Sequence, residues 1–444
     1  MSDWQTVTLE DVTESINTGL DAIRRAPIVE HKTNLRCLRI QDISQNKPFD
    51  KWGYTEVKDS DFKKFQLVPN DIIMARTCST GICYLVKKEL PAVFNNGLAR
   101  IRLKIEKVDP KFIYYVFKSK HFSGYIDGIS GGTSVQLNMK IGDLLKYQFN
   151  LPPLSEQKEI ARILSDLDKK IELNTQINQT LEQIAQALFK SWFVDFDPVR
   201  AKVQALSDGL SLEQAELAAM QAISGKTPEE LTALSQTQPD CYAELAETAK
   251  AFPCEMVEVD GVKVPKGWEY CSLGDVSECF DSKRIPLSKQ QREKRKGNIP
   301  YYGATSVMDY VDEAIFDDIY LLVGEDGSVL KEDGKPFTQY IWGKSWINNH
   351  AHVLKGRNGI STEHLMIFIQ QKNISAYITG AVQLKLNQKN MNSIPFIKAS
   401  NKTNLIFAQY IEPLYAKIRK NFDENKILET TRDLLLPRLL NGEI

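Results

Sequence analysis

The side chains best suited to chemistry gather in polar, glycine-containing turns and in one basic stretch. Arg76, Thr77, Ser79 and Thr80 crowd the first turn (DIIMARTCSTG), and Asn95 and Asn96 follow in VFNNGLARIRL. Arginine and hydroxyl groups donate to phosphates or base edges, and an Asn amide pairs bidentately with adenine. The same residue types also simply build turns. Asn348 and Asn349 (WINNHAHVLKG) repeat the Asn-Asn pair later in the chain. Between them lies SKRIPLSKQQREKRKGN, with Lys283, Arg284, Lys289, Arg292, Lys294, Arg295 and Lys296. A cation cluster of this kind suits phosphate contact, and equally a solvated loop.

Reaction chemistry is harder to find. His350 and His352 share one face of an apparent strand, but no Asp or Cys follows at ligand spacing, so no metal is expected. The 7 cysteines include no CxxC pair and suit reduced thiols. The chain has no [DN]PP[YF] tetrad, by which an amino-methyltransferase holds a flipped base. GKT at 225–227 resembles the end of a phosphate loop, yet Met220 stands where that loop needs glycine. Asp326 with Asp333-Gly334-Lys335 has nuclease-like carboxylate spacing, but DG and GK pairs also make plain hairpin turns. No catalytic residue is expected.

The elements that must position these residues show themselves through a repeat. WQTVTLEDV, with Trp4, Leu9, Asp11 and Val12, matches WEYCSLGDV, with Trp268, Leu273, Asp275 and Val276. Asp71-Ile72 matches Asp318-Ile319, each opening a short β-rich run into a turn, and Asn95-Asn96 matches Asn348-Asn349. At a constant offset of 247, Lys170, Ile171, Asn174, Asn178, Leu181, Glu182 and Leu188 are identical to Lys417, Ile418, Asn421, Asn425, Leu428, Glu429 and Leu435. Steps of seven give Ile160, Leu167, Asn174, Leu181, Leu188 and Phe407, Leu414, Asn421, Leu428, Leu435. These are two heptad stripes, each with one central Asn that would fix register in a helix pair. The companion positions, three residues on, are less regular: Ile163, Lys170, Ile177 and Ile184, then Tyr410, Lys417, Glu424 and Thr431. The first helix should begin after Pro152-Pro153 with Ser155 as cap and end near Trp192, a length of roughly 57 Å. Pro413 should kink the second helix or mark its first turn.

Length, composition and charge bound the rest. The chain has 444 residues, 42% hydrophobic and 25% charged, which suits two or three soluble globular domains. No apolar run approaches the roughly 20 residues of a membrane helix. The N-terminus lacks the features of a secretory signal, so a cytoplasmic location is expected. A formal net charge of -1 hides a strong partition. Residues 1–150 carry +5, 151–194 carry -1, 195–266 carry -7, 267–396 are neutral and 397–444 carry +2. A nucleic-acid role is therefore compatible with the near-zero total.

The combination of LPPLSEQKEIARIL, LFKSWFVDFDPV, the PKGW lead-in and IPYYGA with the repeat resembles the specificity subunit of type I restriction-modification systems. The resemblance covers nearly the whole chain. It implies an α+β fold: target-recognition domain 1 (1–150), a central spacer helix (151–194), an acidic helical insert (195–266), target-recognition domain 2 (267–396) and a C-terminal spacer helix (397–444). The two helices would pair as an antiparallel coiled coil. Such a protein has no catalytic centre. Each domain reads one half of a bipartite, asymmetric sequence in double-stranded DNA. Two modification subunits, adenine-N6 methyltransferases using S-adenosylmethionine, dock on the helices and domains. Restriction subunits add ATP- and Mg²⁺-dependent translocation and cleavage, and the system serves phage defence. The insert is longer and more acidic than a minimal connector, and it is expected to contact a modification subunit. Two other readings stay open: a single-chain methyltransferase or nuclease with an unrecognised site, and a coiled-coil adaptor without DNA specificity.

Overall fold

A computed structural model describes residues 4–130, 138–259, 261–380 and 383–444. The chain divides into two units, Met1–Asn174 with Asp423–Ile444, and Thr175–Phe422. The first division falls within the helix Leu154–Phe193 and the second within the helix Asn401–Leu440, so each unit owns part of both long helices.

In the first unit the strand Gln5–Thr8 runs antiparallel to Gln148–Leu151 and leads into the short helix Leu9–Val12. Thr8 and Asp11 close a capping box there, which satisfies two of the helix's free N–H groups. A four-stranded sheet follows, in the order Thr13–Thr18, Leu98–Leu103, Ile72–Ala75, Cys83–Leu85. Its central strand explains why the run Ile-Ile-Met-Ala is apolar throughout. Ile72 and Met74 enter a core with Leu9, Phe112 and Tyr147, while Ile73 and Ala75 enter a second core with Trp52, Val93 and Phe94. Strand residues alternate between faces, so a strand buried on both must be continuously hydrophobic. The second core is closed by the sheet Ile28–Val29, Gly53–Thr55, Arg36–Leu38, Ala92–Phe94.

The second unit repeats this plan. Glu269–Ser272 pairs with Pro395–Lys398 and leads into Leu273–Val276, capped by Ser272 and Asp275. Its central sheet has the order Ser277–Cys279, Ala351–Gly356, Tyr320–Gly324, Thr338–Ile341. Again the middle strand serves two cores, Leu321 and Val323 on one side, Tyr320 and Leu322 on the other. The acidic insert belongs to this unit as four helices, Asp197–Ser207, Leu212–Ser224, Pro228–Thr237 and Pro239–Lys250, with a hairpin at Met256–Val259 and Val262–Pro265. Ala219, Met220, Leu231, Leu245 and Ala249 form a small core of their own. The GKT sequence is two caps. Gly225, at φ 68°, ends one helix and Thr227 starts the next in a capping box with Glu230.

The long helices each span 40 residues, about 60 Å. The first begins at Leu154, one residue before the expected cap Ser155. The second runs from Asn401 to Leu440 as one element, so Pro413 lies within it and does not mark its first turn. Pro413 lies on the exposed side, where water can take the freed carbonyl of Gln409, and Phe407, Ile411, Tyr415 and Ile418 anchor the opposite face in the core. Within the first unit, Asp168 pairs with Arg432 and Asn174 with Asn425; within the second, Asn178 pairs with Asn421 and Phe189 packs on Phe407. Both sets run antiparallel.

The second stripe also needs correction. Its positions lie four residues on from the Ile160 series, not three. Leu164, Ile171, Asn178, Ala185 and Trp192 face inward, whereas Ile184 is exposed. In the second helix the companions are Asn404, Ile411, Ile418, Asn425, Arg432 and Leu439. Counted by hydrophobicity, this stripe is hidden by its polar members. Asn178, Asn425 and Arg432 each meet a specific partner, as when Arg432 meets Asp168 at 2.8 Å, and Asn404 donates to Ala399 O at 2.9 Å.

Candidate nucleic-acid interface

The polar turn after each central strand is built by one set of backbone bonds, present in both units. In the first, the Arg76 N–H donates to Gly97 O at 3.0 Å and the Met139 N–H to Arg76 O at 2.8 Å, while Thr77 bridges Asn138. In the second, the Glu325 N–H donates to His350 O at 2.9 Å and the Leu386 N–H to Glu325 O at 2.8 Å, while Asp326 bridges Lys385. Two residues beyond, Cys78 has φ 62° and Gly327 has φ 74°. Cys78 thus holds a left-handed turn position that favours glycine.

These bonds also correct the repeat alignment. Ile72 pairs with Ile101 and Leu321 with Leu354, so Ile72 corresponds to Leu321 and Arg76 to Glu325. The carboxylates Asp71 and Asp318 are therefore two positions out of register. Asp71 is buried and binds the Arg102 guanidinium at 2.8 Å, whereas Asp318 pairs with Lys355.

The side chains on the two tips differ. Arg76 reaches Asn96 O at 3.4 Å and Asn138 Oδ1 at 3.5 Å, and its Nε has no acceptor. Thr80 accepts from Ser130 at 3.1 Å, Ser79 and Asn96 are exposed, and Thr77 and Asn95 are half-buried. In the second unit Asn349 is exposed, but Asn348 is buried and accepts from the Asn349 N–H. Glu325 binds Arg284 at 2.7 Å and Lys385 at 3.4 Å, and Asp326 binds His350 Nδ1.

The basic stretch separates by side-chain type. Arg284 is 11% exposed, held by Asp281, Glu325 and the carbonyl of Ala351. Arg292, 13% exposed, binds Asp309 at 3.0 Å and lies over the Tyr301 ring. Arg295 pairs with Asp312 and Glu313 against Trp346. Lys283 lies over Phe280. Lys289, Lys294 and Lys296 are exposed and, among the described residues, form no ion pair. A planar guanidinium meets carboxylates and rings in fixed geometry, so the arginines hold the fold while the lysines remain outside.

The histidines are bound to separate carboxylates. His352 is buried with Nδ1 at 2.5 Å from Asp281 and Nε2 at 2.7 Å from Leu386 O. Cys279 lies close by, the three ligand atoms falling within 4.8 Å of one another. Burial would raise the Asp281 carboxyl, but His352, the Val353 N–H and Arg284 hold it below its ordinary range. Burial pushes the Cys279 thiol up to about 12, so it stays protonated. With both imidazole nitrogens engaged and no thiolate, this cluster ties together the base of the turn.

Along the helices, Ile160, Asn174, Phe407 and Asn421 are buried, and Leu167, Leu181, Leu188, Leu414, Leu428 and Leu435 are half-buried. The asparagines form a quartet that obeys the repeat. Asn174 Nδ2 donates to Asn425 Oδ1 at 2.9 Å and Asn425 Nδ2 to Ile171 O at 3.4 Å. The offset of 247 converts these into Asn421 Nδ2 to Asn178 Oδ1 at 2.8 Å and Asn178 Nδ2 to Ile418 O at 3.4 Å. One duplicated plan, carrying divergent tips on an identical frame, is what the comparisons with known proteins explain. A family model for the type I restriction modification DNA specificity domain matches residues 1–183 and 265–429.

The chain belongs to the type I restriction-modification DNA specificity family.

As a specificity subunit it is 40% identical to the type I restriction enzyme HindI specificity subunit of Haemophilus influenzae, with all of both chains covered. It is 24% identical to the MjaIX specificity subunit of Methanocaldococcus jannaschii, over 83% of this chain and 76% of that one. Its fold is similar to the type I restriction-modification S subunit of M. genitalium, with a TM-score of 0.55 and 17% identity over 99% of this chain and 96% of the other. A specificity subunit is not an enzyme on its own. Among the described residues, no helix is long and apolar enough to cross a membrane.

Two tip residues escaped the sequence reading, Asn138 and Lys385. A signal for them existed, since each directly follows an identical Val-Gln-Leu triplet at the same offset of 247 as the helices.

Proposed function

We propose that this specificity subunit reads a bipartite, asymmetric DNA site, one half with each unit, and that its paired helices set the spacing and dock two modification subunits. The observation carrying this reading is the duplicated plan: two units with matching backbone turns and different side chains, joined by helices whose buried asparagines repeat at one offset. A single continuous reader would need no second copy of the scaffold. Two equal frames with unequal tips suit two identical partners acting on two different half-sites.

In this reading the methyl transfer to adenine N6 and its S-adenosylmethionine belong to the modification subunits, which flip the target base out of the duplex. ATP and Mg²⁺ act in the restriction subunits. The chain contributes DNA contact, register and docking, in the cytoplasm. Exposed Lys289, Lys294 and Lys296 supply phosphate contacts, while Arg284, Arg292 and Arg295 shape the surface that carries them. The acidic insert, whose helices pack on the C-terminal helix through Thr403 Oγ1 to Ala251 O and Lys402 to Glu247, presents its charge to a modification subunit.

Methylation-sensitive sequencing of DNA from cells with and without the gene, in the presence of modification subunits, tests the proposal. The expected result is methyladenine in a bipartite motif that disappears with the gene. An unchanged methylation pattern alongside an expressed modification partner would overturn it, and S-adenosylmethionine binding by the isolated chain would favour the single-chain methyltransferase instead.

A further inference from the structure

The turn after the central strand is the place where the two units agree in backbone and disagree in chemistry. Its five shared features are two N–H···O bonds, one bridge, one left-handed residue and the capping of the strand end by an Asn-Asn-X segment. Position by position, Arg76 stands for Glu325, Thr77 for Asp326, Asn138 for Lys385 and Gly97 for His350. None of these pairs is conservative. A frame that is held constant while each side chain changes is the arrangement expected of a reader that must recognise different bases in the two copies.

The chemistry of each tip follows from its partners. In the first unit the Arg76 guanidinium makes only long bonds, 3.4 Å to Asn96 O and 3.5 Å to Asn138 Oδ1, and leaves Nε without an acceptor. Most of its five donors are uncommitted. No carboxylate forms an ion pair with it among the described residues. In the second unit the carboxylates Glu325 and Asp326 are largely enclosed, and their partners stand outward, Lys385 50% and His350 44% exposed. A carboxylate only accepts, so Asp326 requires the proton on His350 Nδ1. The Nδ1 edge of the ring is thereby committed to Asp326, and Nε2 lies on the opposite edge.

We infer that Arg76 with Asn138 in the first unit, and His350 with Lys385 in the second, are specificity-determining side chains, Asp326 and Glu325 being their positioning residues. The first tip recognises acceptor edges, the N7 and O6 of guanine foremost. The second sets the Lys385 donor beside the Nε2 edge of His350, which accepts when Nδ1 alone carries the ring proton, a pattern that then fits an exocyclic amino group beside an acceptor, as on adenine. This inference rests on the reading of the chain as a two-unit DNA reader.

The test uses the full complex, expressed with its modification subunits in cells that lack other adenine methylation. Arg76→Ala and His350→Ala are compared with wild type by methylome sequencing, with co-purification of the complex as the measure of folding. Arg76→Ala is expected to relax one base position of one half-site by about tenfold in preference, with the other half and the spacing unchanged, and His350→Ala a position in the opposite half. Should either alanine variant fail to assemble, Arg76→Gln and His350→Gln are judged by the same criteria. Unchanged motifs, changes in the same half-site, or loss of methylation from an intact complex would each overturn the inference. A wild-type complex with no bipartite motif would instead overturn the broader reading.

Discussion

His364 shows how much one residue can reveal when the chain contains its own comparison. It occupies the third position of the helix Thr362–Gln371, capped by Ser361, as Phe112 does in Pro110–Phe117, capped by Asp109. Both are buried in aromatic cores, His364 among Phe189, Phe193, Phe396 and Phe407, with neither ring nitrogen hydrogen-bonded. Burial lowers its pKa from 6.5 to about 3. The folded state therefore keeps the ring neutral while the unfolded chain binds a proton below pH 6.5. The stability this contributes is fully present above pH 6.5 and is lost as pH falls towards 3. His364→Phe should raise stability by about 1–3 kcal/mol at neutral pH and flatten the decline below pH 6.5, read by denaturant melts from pH 7.5 to 5. The basic stretch separates at the same scale. Arg284→Ala leaves Glu325 and Asp281 short of a partner and should cost about 3–5 kcal/mol. Lys294→Ala or Lys296→Ala should leave melting unchanged and reduce the salt slope of DNA binding by about 1 each, measured by titration at several salt concentrations. Sequence alone made these cations look alike; only their neighbours separate them.

Among the elements, the asparagine quartet defines how the helices meet. A buried amide costs stability unless its partner is present, and this makes one register better than its neighbours. Asn178→Ala removes the acceptor for Asn421 Nδ2 and should destabilise by about 1–3 kcal/mol. Asn178→Leu with Asn421→Leu should recover most of that loss, since removing both polar partners leaves nothing unsatisfied, while tolerance of shifted registers increases. A double-mutant cycle by chemical denaturation checks the coupling, and additive single effects would contradict it. The Ile160 and Phe407 stripes were legible because leucine and isoleucine recur every seven residues. The companion stripe was not, because Gln157, Asn404 and Arg432 occupy inward positions that hydrophobic counting passes over. Gln157 is buried yet fully engaged, accepting from the Asp109 N–H at 2.8 Å and donating to Pro152 O at 2.8 Å.

For the whole molecule, the duplication separates what is repeated, the backbone bonds and helix asparagines, from what varies, the side chains of the turns. If the helices set spacing and the tips set bases, removing one matched heptad from each helix should change the spacer of the methylated motif and leave both half-sites intact. Altered half-site bases would contradict that division. The near-zero net charge is compatible with that division, because the -7 insert offsets a +5 first domain.

The sequence by itself determined the two-fold repeat, the helices, the family and the absence of a recognisable catalytic motif, because periodicity and identity are properties of residue order. What tertiary structure decided was which side chains are free. Arg284 and Arg292 are enclosed by carboxylates and rings distant in sequence, His352 is locked between Asp281 and a carbonyl, and Asn138 and Lys385 reach the tips by a bridge across more than 50 residues. Exposure and partnership arise from contacts between segments that no local pattern links, and the correspondence of the two turns lies in backbone bonds that residue order does not carry.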